Sequence, residues 1–321
     1  MSRDGPGLLL RDALEGTPDV LAAAGRIAAA RPDVIVLQGL DWDLEGRAVA
    51  ALSDRIAEAG HPMPHALHPA GNRGVPAGDL DGDGRTDRAA DMHGWAMFRG
   101  QGALAVLSRF PLSLEADLSG LLWRDMPGGA APGADGSDLL AGPFAALRLS
   151  TTAHVAVRVA APDGPLTLLV HHATPPVFDG PEDRNGRRAA AELGVWGAFL
   201  DGKLSNVPGG APPPEGPVAL AFAANVDPVD GDGPGEALHA FLARPDIVDP
   251  RPRGGGASEP PDGHRGDPAL DTVRWDGPGN LRVDYVLAGP GTRPLGAGLD
   301  WPAPDAHSRH AVVWADLAID R

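Results

Sequence analysis

Cysteine is absent from this 321-residue chain, which excludes disulfide bonds and thiolate metal sites. Basic residues are scarce as well, since 27 Lys and Arg stand against 43 Asp and Glu, for a formal net charge of −16. Proteins that bind nucleic acid need clustered Lys and Arg to neutralise phosphates, so nucleic acid is not the expected partner. A net charge of this size favours solubility instead.

Membrane-targeting patterns are also missing. The chain opens with Met1-Ser-Arg-Asp-Gly-Pro-Gly, which lacks the basic segment and apolar run of a signal peptide. The apolar run Leu8–Leu10 is too short to cross a bilayer. As written, the chain is therefore expected to be soluble and cytoplasmic, with no membrane insertion. Export is the alternative if the true start lies upstream.

Glycine and proline are abundant, with 44 and 34 residues, and 43% of the chain is hydrophobic. This combination indicates a folded protein with many turns and long surface loops. The predicted loops cover residues 60–93, 124–143 and 250–280.

Apolar runs bounded by turn residues predict strands, and helical spacing of apolar residues predicts helices. The predicted helices cover residues 17–30, 45–59, 182–200 and 236–242. Core strands are predicted at 33–37, 166–172, 217–222, 281–287 and 311–317, with further strands at 94–98, 102–108 and 155–159. Helices and strands alternate without a linker or an internal repeat, which predicts a single two-sheet α/β domain over residues 1–321.

One predicted loop has a metal-binding pattern. The run Asp79-Leu-Asp-Gly-Asp-Gly84 places carboxylates at loop positions one, three and five, and Asp87 stands at the ninth. We therefore expect one Ca²⁺ to be bound by Asp79, Asp81, Asp83 and Asp87. The twelfth position is Ala90 and Asp91 comes one place late, so an acidic surface turn without an ion is the alternative.

Three stretches together are similar to a known family. They are His172-Ala-Thr-Pro-Pro-Val-Phe-Asp-Gly-Pro-Glu-Asp-Arg-Asn-Gly186, Gly71-Asn-Arg-Gly-Val-Pro76 with the acidic run, and Gly279-Asn-Leu-Arg-Val-Asp-Tyr-Val286. In this order the chain resembles a bacterial branch of the endonuclease/exonuclease/phosphatase superfamily over nearly its whole length. The resemblance implies a four-layered α/β sandwich of the DNase I-like type and, in active members, phosphoester hydrolysis with a divalent cation. By the same comparison, the first strand of the family is expected to be missing at the N-terminus of the sequence as written.

The chain departs from this family at its acidic positions. The resemblance implies an acidic metal ligand where this chain has Gly39, a water-activating Asp where it has Ala223, and a Ser-Asp-His unit whose Asp orients the His where it has Arg309. Glycine and alanine cannot coordinate a metal or accept a proton, and an arginine beside an imidazole disfavours its charged form. The catalytic Mg²⁺ site is therefore expected to be lost.

The matching positions that keep the family's residue are His154, His172, Asn225, Asp284 and His310. The last four are the candidate catalytic-site residues. Because several acidic residues that act together in active members are replaced, the chain is expected to be a pseudoenzyme with a binding or structural role. Its partner is expected to be an unknown protein or a small anionic ligand, attracted to Arg274, Arg309 and the histidines. The alternative is an active divalent-metal-dependent phosphatase or nuclease whose metal site is rebuilt from Asp41, Asp43, Asp227 or Asp230.

Overall fold

The computed structural model describes residues 1–255, 262–303 and 308–320, so residues 256–261 of the predicted loop 250–280 lie outside it. In the described part, the α-helices are α1 (Leu8–Glu15), α2 (Pro18–Ala30), α3 (Arg47–Glu58), α4 (Arg184–Leu200) and α5 (Gly235–Leu242). The β-strands are β1 (Val34–Leu40), β2 (His65–Leu67), β3 (Ala103–Ser108), β4 (Leu112–Asp117), β5 (His154–Ala161), β6 (Gly164–His172), β7 (Val218–Ala223), β8 (Val273–Trp275), β9 (Gly279–Leu281), β10 (Asp284–Ala288), β11 (Thr292–Asp300) and β12 (Val312–Ile319).

Two sheets form the centre of the molecule. The smaller sheet has the order β1-β3-β2, and the larger has the order β10-β7-β6-β5-β4. All neighbours in the larger sheet are antiparallel except β6 and β7. A parallel pair needs a long crossover, and α4 supplies it between β6 and β7.

Strand β3 shows why the layers form. Every residue of β3 is buried, but successive side chains point to opposite faces of the sheet. Leu104 and Val106 pack against the larger sheet, in the same core as Val155 and Val170. Ala105 and Leu107 of β3 instead share a core with α1, α2 and α3. The smaller sheet therefore lies between these helices and the larger sheet.

The far face of the larger sheet is covered by α4 and α5. Leu169, Phe222 and Tyr285 of the sheet share a core with Trp196 of α4 and Phe241 of α5. The order of layers is thus helices, sheet, sheet, helices, which confirms the predicted four-layered α/β sandwich. No helix in the described part of the chain is both long and apolar enough to span a membrane.

The predicted strand at 94–98 was wrong. Gly94 makes only an isolated bridge with Arg73, and no strand is formed there. Ala96 is buried while Trp95 and Met97 are exposed. This alternation of burial is what a strand would show, but the segment has no partner strand to complete a ladder.

The predicted strand at 281–287 is interrupted. The amide of Arg282 donates to Asp227 (2.6 Å), and the amides of Val283 and Asp284 both donate to Oγ1 of Thr272 (3.0 Å each). These donors are used by side chains rather than by a neighbouring strand, so β9 ends and β10 begins on either side of the break.

The prediction that 311–317 lies in the core of the two-sheet sandwich was also wrong. β12 forms a separate two-stranded sheet with β11 and is only partly buried. β11 itself carried no sequence signal because Pro294, Gly296 and Gly298 are residue types depleted in strands. The short helix α1 and the edge strand β4 were likewise not predicted, and the short strands β2 and β8 lie inside the predicted loops 60–93 and 250–280.

Candidate functional site

Three of the candidate positions form a row across the larger sheet. The register pairs His172 of β6 with Ala223 of β7, and Ala223 with Asp284 of β10. Paired residues on neighbouring strands point to the same face. Because Phe222 and Tyr285 pack under α4 and α5, the row faces the smaller sheet. Gln38 Nε2 donates to the His171 carbonyl (3.2 Å), which brings the end of β1 to the same edge.

His310 and Asp284 form a close pair at this edge. Nδ1 of His310 lies 2.7 Å from Oδ2 of Asp284. Burial alone would lower the pKa of His310, but the facing Asp284 carboxylate raises it overall. Arg309 turns away and pairs with Asp276 at 2.7 Å. The expectation that Arg309 leaves His310 without an orienting acceptor was therefore wrong, because the acceptor comes from β10.

His172 contributes a neutral imidazole to the edge. Burial, and then the nearby charge of Arg73, lower the pKa of His172 to about 3. Its Nδ1 atom is buried without a hydrogen-bond partner in the described structure. A buried, unpaired ring nitrogen is unusual, since buried polar groups are normally hydrogen-bonded. A ligand atom beside His172 Nδ1 would supply the missing hydrogen-bond partner.

Arg73 is a site residue that the sequence did not reveal. Its guanidinium packs on Gly102, with Nε 3.3 Å from where a Cβ on that glycine would stand, and Nε donates to the Gln101 carbonyl. Its charge lowers the pKa of His172. Burial lowers the pKa of Arg73 itself, and the negative charge of Asp41 opposes this shift. Within the described residues, Arg73 forms no ion pair with a carboxylate. Its position inside Gly71-Asn-Arg-Gly-Val-Pro76 was the available signal, but nothing in that motif alone places the side chain in the site.

Asn225 connects the segments that follow β6 and β7, beside the row of His172, Ala223 and Asp284. It has a left-handed backbone (φ 53), and its Nδ2 donates to the Ala173 carbonyl at 2.7 Å. Asparagine tolerates this conformation better than most residues. The amide thereby ties the segment after β7 to the segment after β6.

Gly39 lies at a bulge in the pairing of β1 with β3 and has a φ of 69. Glycine is the usual residue at such a position because it lacks a Cβ. Any other L-residue would cost about 1–2 kcal/mol in this conformation. The backbone here therefore disfavours the acidic metal ligand that the family resemblance implies at this position.

Asp41 and Asp43 follow β1, but both serve as acceptors for backbone amides. Asp41 accepts from Gly102 (2.7 Å) and from Arg3 (2.8 Å). Asp43 accepts the amides of Arg47 (2.9 Å) and Ala48 (2.8 Å), which begin α3. Their role in this structure is to hold the loop and the start of the helix.

Asp227 and Asp230 are engaged in the same way. Asp227 accepts the amides of Val229 (2.7 Å), Asp230 (2.9 Å) and Arg282 (2.6 Å). Asp230 accepts the amides of Arg265 (2.9 Å) and Gly266 (2.8 Å). In the described part of the chain, one group of three carboxylate or imidazole side chains has its ligand atoms within 4.8 Å of one another. That group includes none of these four carboxylates.

That group lies in the acidic loop and consists of Asp79, Asp81 and Asp91. Of the four predicted Ca²⁺ ligands, only Asp79 and Asp81 belong to it. Asp83 pairs with Arg88 (3.1 Å) and Asp87 pairs with Arg85 (2.9 Å).

His154, although it matches the family, lies on the opposite face of the larger sheet. It pairs with His171, whose ring stacks on it with centroids 4.5 Å apart. Its ring nitrogens contact Ser150 Oγ (2.6 Å) and the Glu192 carbonyl (3.1 Å). Burial lowers the pKa of His154 to about 3. His154 is thus a neutral core residue and not part of the edge site.

Comparison with known proteins agrees with this architecture. A model of the endonuclease/exonuclease/phosphatase family matches residues 8–314, while no curated protein matches the chain. A solved endonuclease/exonuclease/phosphatase from Beutenbergia cavernae is 20% identical with a TM-score of 0.54, over 95% of this chain and 67% of that one. Family members from Bacteroides vulgatus and Bacteroides thetaiotaomicron are each 11% identical with TM-scores of 0.51, over 94% and 97% of this chain and 90% and 93% of theirs. The structural likeness shows the fold, and the family match shows that this chain belongs to the endonuclease/exonuclease/phosphatase family.

Proposed function

We propose that this chain is a non-catalytic member of its family that binds a phosphate group, or a similar small anion, at the strand edge. The observation that carries the proposal is the position of Ala223. It is 1% exposed and lies between His172 and Asp284. The family resemblance implies the water-activating carboxylate at this position.

Phosphoester hydrolysis depends on a metal that neutralises developing charge and on a base that activates water. Gly39 offers no ligand, and its left-handed backbone resists an acidic replacement. Asp41, Asp43, Asp227 and Asp230 were the candidates for a rebuilt metal site, and in the described structure none of them belongs to a group of three gathered carboxylate or imidazole ligands. Loss of general-base help alone costs a factor of about 10²–10⁴ in rate.

What remains at the edge suits an anion. Arg73 supplies a permanent positive charge, and Asp284 favours the charged form of His310. His172 adds an unpaired ring nitrogen. Charge-assisted hydrogen bonds to an anion are the strong ones in proteins, so three such groups make a phosphate site without a metal.

Arg309 and Arg274 were expected to attract the anion, but both have other partners. Arg309 pairs with Asp276 at 2.7 Å. Arg274 donates to the Pro302 carbonyl at 2.8 Å and lies over the Trp301 ring. We therefore assign the attraction to Arg73 and His310.

The first test is an activity assay of the full chain with Mg²⁺, Mn²⁺ or Ca²⁺ on DNA, RNA and small phosphomonoesters. We expect background rates. Turnover that follows the protein through purification, and that disappears in Asp41→Asn or Asp227→Asn, would instead establish an active phosphoesterase with a rebuilt site.

The second test is calorimetric titration with inorganic phosphate in the presence of a chelator. We expect binding that weakens about tenfold or more in Arg73→Ala, because a charged hydrogen-bonding group is lost. Arg85→Ala is the matched control, since Arg85 is exposed and pairs only with Asp87 among the described carboxylates. Absence of binding in the wild-type chain, or equal weakening in both variants, would refute the proposal.

We also propose a separate Ca²⁺ site in the acidic loop, supported by the gathering of Asp79, Asp81 and Asp91. Ca²⁺ prefers several carboxylate oxygens in a flexible loop. Asp81→Asn should abolish Ca²⁺ binding measured by calorimetry, while Asp83→Asn should not, because Asp83 faces Arg88. No heat of binding at millimolar Ca²⁺ would leave the loop as an acidic surface turn.

A further inference from the structure

Thr272 lies where three chain segments of the candidate site meet. It is fully buried and stands directly before β8. Its amide donates to the Leu281 carbonyl (2.9 Å), and its own carbonyl accepts the amide of Ala311 (2.7 Å). The backbone of Thr272 therefore joins the segment that leads to Asp284 with the segment that follows His310.

The hydroxyl of Thr272 makes two further contacts. Its Oγ1 accepts the amides of Val283 and Asp284, at 3.0 Å each. Both amides lie at the break before β10. Because backbone donors inside a protein need acceptors, this one oxygen fixes the backbone from which the Asp284 side chain extends.

His310 is located by the residues that follow Thr272. Val273 forms an isolated antiparallel bridge with His310. The ring of Trp275 meets the His310 ring edge-on, with centroids 5.4 Å apart. One segment thus contacts both members of the pair, since its threonine hydroxyl holds Asp284 and its next residues hold His310.

We infer that Thr272 is a positioning residue of the anion site, whose hydroxyl holds the Asp284 carboxylate against the His310 ring. The ring nitrogen and the carboxylate oxygen are 2.7 Å apart. A contact of about 3.6 Å is no longer a hydrogen bond, so a shift of about 1 Å at Asp284 is enough to break the pair. A facing carboxylate favours the charged imidazolium, which is the stronger donor to an anion.

This inference rests on the proposed function for the use of that charge in anion binding. The effect of Thr272 on His310 is measured without any ligand. The two claims can therefore fail separately.

The first measurement is NMR titration of the His310 ring in two variants of Thr272. Thr272→Val keeps the shape but leaves two amides without their acceptor. We expect the pKa of His310 to fall toward its ordinary value of 6.5 or below, because burial lowers it and Asp284 opposes burial less well. Thr272→Ser retains the oxygen and should keep the pKa of His310 close to that of the wild type.

Thr292→Val is the matched control. Thr292 is also buried, and its Oγ1 accepts the amide of Gly289 (3.0 Å) and donates to the Val218 carbonyl (2.8 Å). These contacts lie beyond the end of β10 opposite Asp284. This control should lose stability in urea, as Thr272→Val does, but leave the pKa of His310 unchanged. An equal fall of that pKa in both valine variants would assign the effect to general loosening and overturn the inference.

A double variant tests whether Thr272 acts through the carboxylate. In an Asp284→Asn background, Thr272→Val should cause no further fall in the pKa of His310, because the interaction it supports is already gone. A further fall as large as that in the wild-type background would contradict the inference. If Thr272→Val does not fold, Thr272→Ala removes the same oxygen and takes its place in every comparison.

The second measurement is calorimetric titration with inorganic phosphate at two pH values, in the presence of a chelator. At neutral pH, Thr272→Val should weaken binding by about three- to tenfold, since a larger share of His310 is neutral. At about pH 5 the difference should disappear, because His310 is charged in both proteins. Equal weakening at both pH values would indicate a distorted site and overturn the inference.

The ligand-free titration decides between the two claims. An unchanged pKa of His310 in Thr272→Val would overturn the positioning role even if phosphate binds the wild-type chain. If the pKa follows Thr272 as expected but phosphate does not bind the wild-type chain, the proposed function falls and the positioning role stands.

Discussion

Nδ1 of His310 lies 2.7 Å from Oδ2 of Asp284, although the two residues are 26 positions apart. The Asp284 carboxylate outweighs the effect of burial and raises the pKa of His310. Arg309, the immediate neighbour of His310, pairs with Asp276 instead. The charge of this histidine is therefore set by a different strand and not by the residue beside it.

Asp284→Asn should lower the pKa of His310, because the facing negative charge is lost while the shape is kept. A histidine whose folded pKa is raised adds stability that is fully present below its unfolded value of 6.5, and that stability is lost as the pH rises through the folded pKa. NMR titration of the His310 ring measures the change directly. If the pKa of His310 is unchanged in Asp284→Asn, Asp284 does not control it. Asp276→Asn is the control and should leave the pKa of His310 unchanged.

The buried rings of His154 and His171 should give the opposite pH dependence. Burial lowers the pKa of His154 to about 3 and that of His171 well below 6.5. Their neutral forms stabilise the fold above pH 6.5, and this contribution is lost as the pH falls below that value, at about 1.4 kcal/mol per pH unit for each ring.

Between pH 7 and about pH 5, the free energy of unfolding of His171→Phe should therefore fall less than that of the wild type. At neutral pH the variant should be less stable by about 1–3 kcal/mol, because Trp196 Nε1 loses its acceptor, His171 Nδ1, at 2.8 Å. Urea unfolding at several pH values gives both quantities. His239→Gln, which changes an exposed histidine on α5, should run parallel to the wild type. If the stability of His171→Phe changes with pH as much as that of the wild type and of His239→Gln, His171 does not cause the pH dependence.

Phe178→Gly should be more stable than Phe178→Ala by about 0.5–1 kcal/mol. Both variants remove the ring, but only glycine relieves the left-handed backbone, and its greater freedom in the unfolded chain offsets part of the gain. Urea unfolding of the two variants side by side measures the difference. An alanine variant at least as stable as the glycine variant would show that Phe178 is not strained.

Much of this fold could be predicted from the sequence, because apolar runs report burial directly. Strands β1, β3, β6 and β7 and helix α4 lie where the apolar patterns placed them. The row formed by His172, Ala223 and Asp284 also follows from strands that were predicted separately.

The remaining features depend on contacts between distant residues, which a local pattern does not contain. The break before β10 arises because Thr272 and Asp227 take the backbone donors of residues 282–284. Arg73 reaches the site through a loop and not through a strand. The left-handed backbone of Gly39 depends on a bulge in the pairing with β3. The sequence therefore showed that glycine replaces the implied acidic residue, but not that the backbone there is left-handed.

Ala223→Asp should destabilise the chain by about 1–3 kcal/mol at neutral pH, because it buries a carboxylate beside that of Asp284. Ala223→Asn is the matched control, since it has the same size without the charge and should cost less. Urea unfolding with and without Mg²⁺ shows whether the new carboxylate finds a metal.

Adding Gly39→Glu and Arg309→Asp should restore metal affinity before it restores turnover. The glutamate must adopt a left-handed backbone at a cost of about 1–2 kcal/mol, which opposes metal binding. The supporting contacts that hold ligands in place are not rebuilt by three substitutions. We expect Mg²⁺ to stabilise the triple variant in calorimetry while phosphatase and nuclease assays stay at background. Turnover in the triple variant would show that the missing side chains alone account for the inactivity we propose, and the absence of any Mg²⁺ effect would show that the backbone at Gly39 excludes the metal.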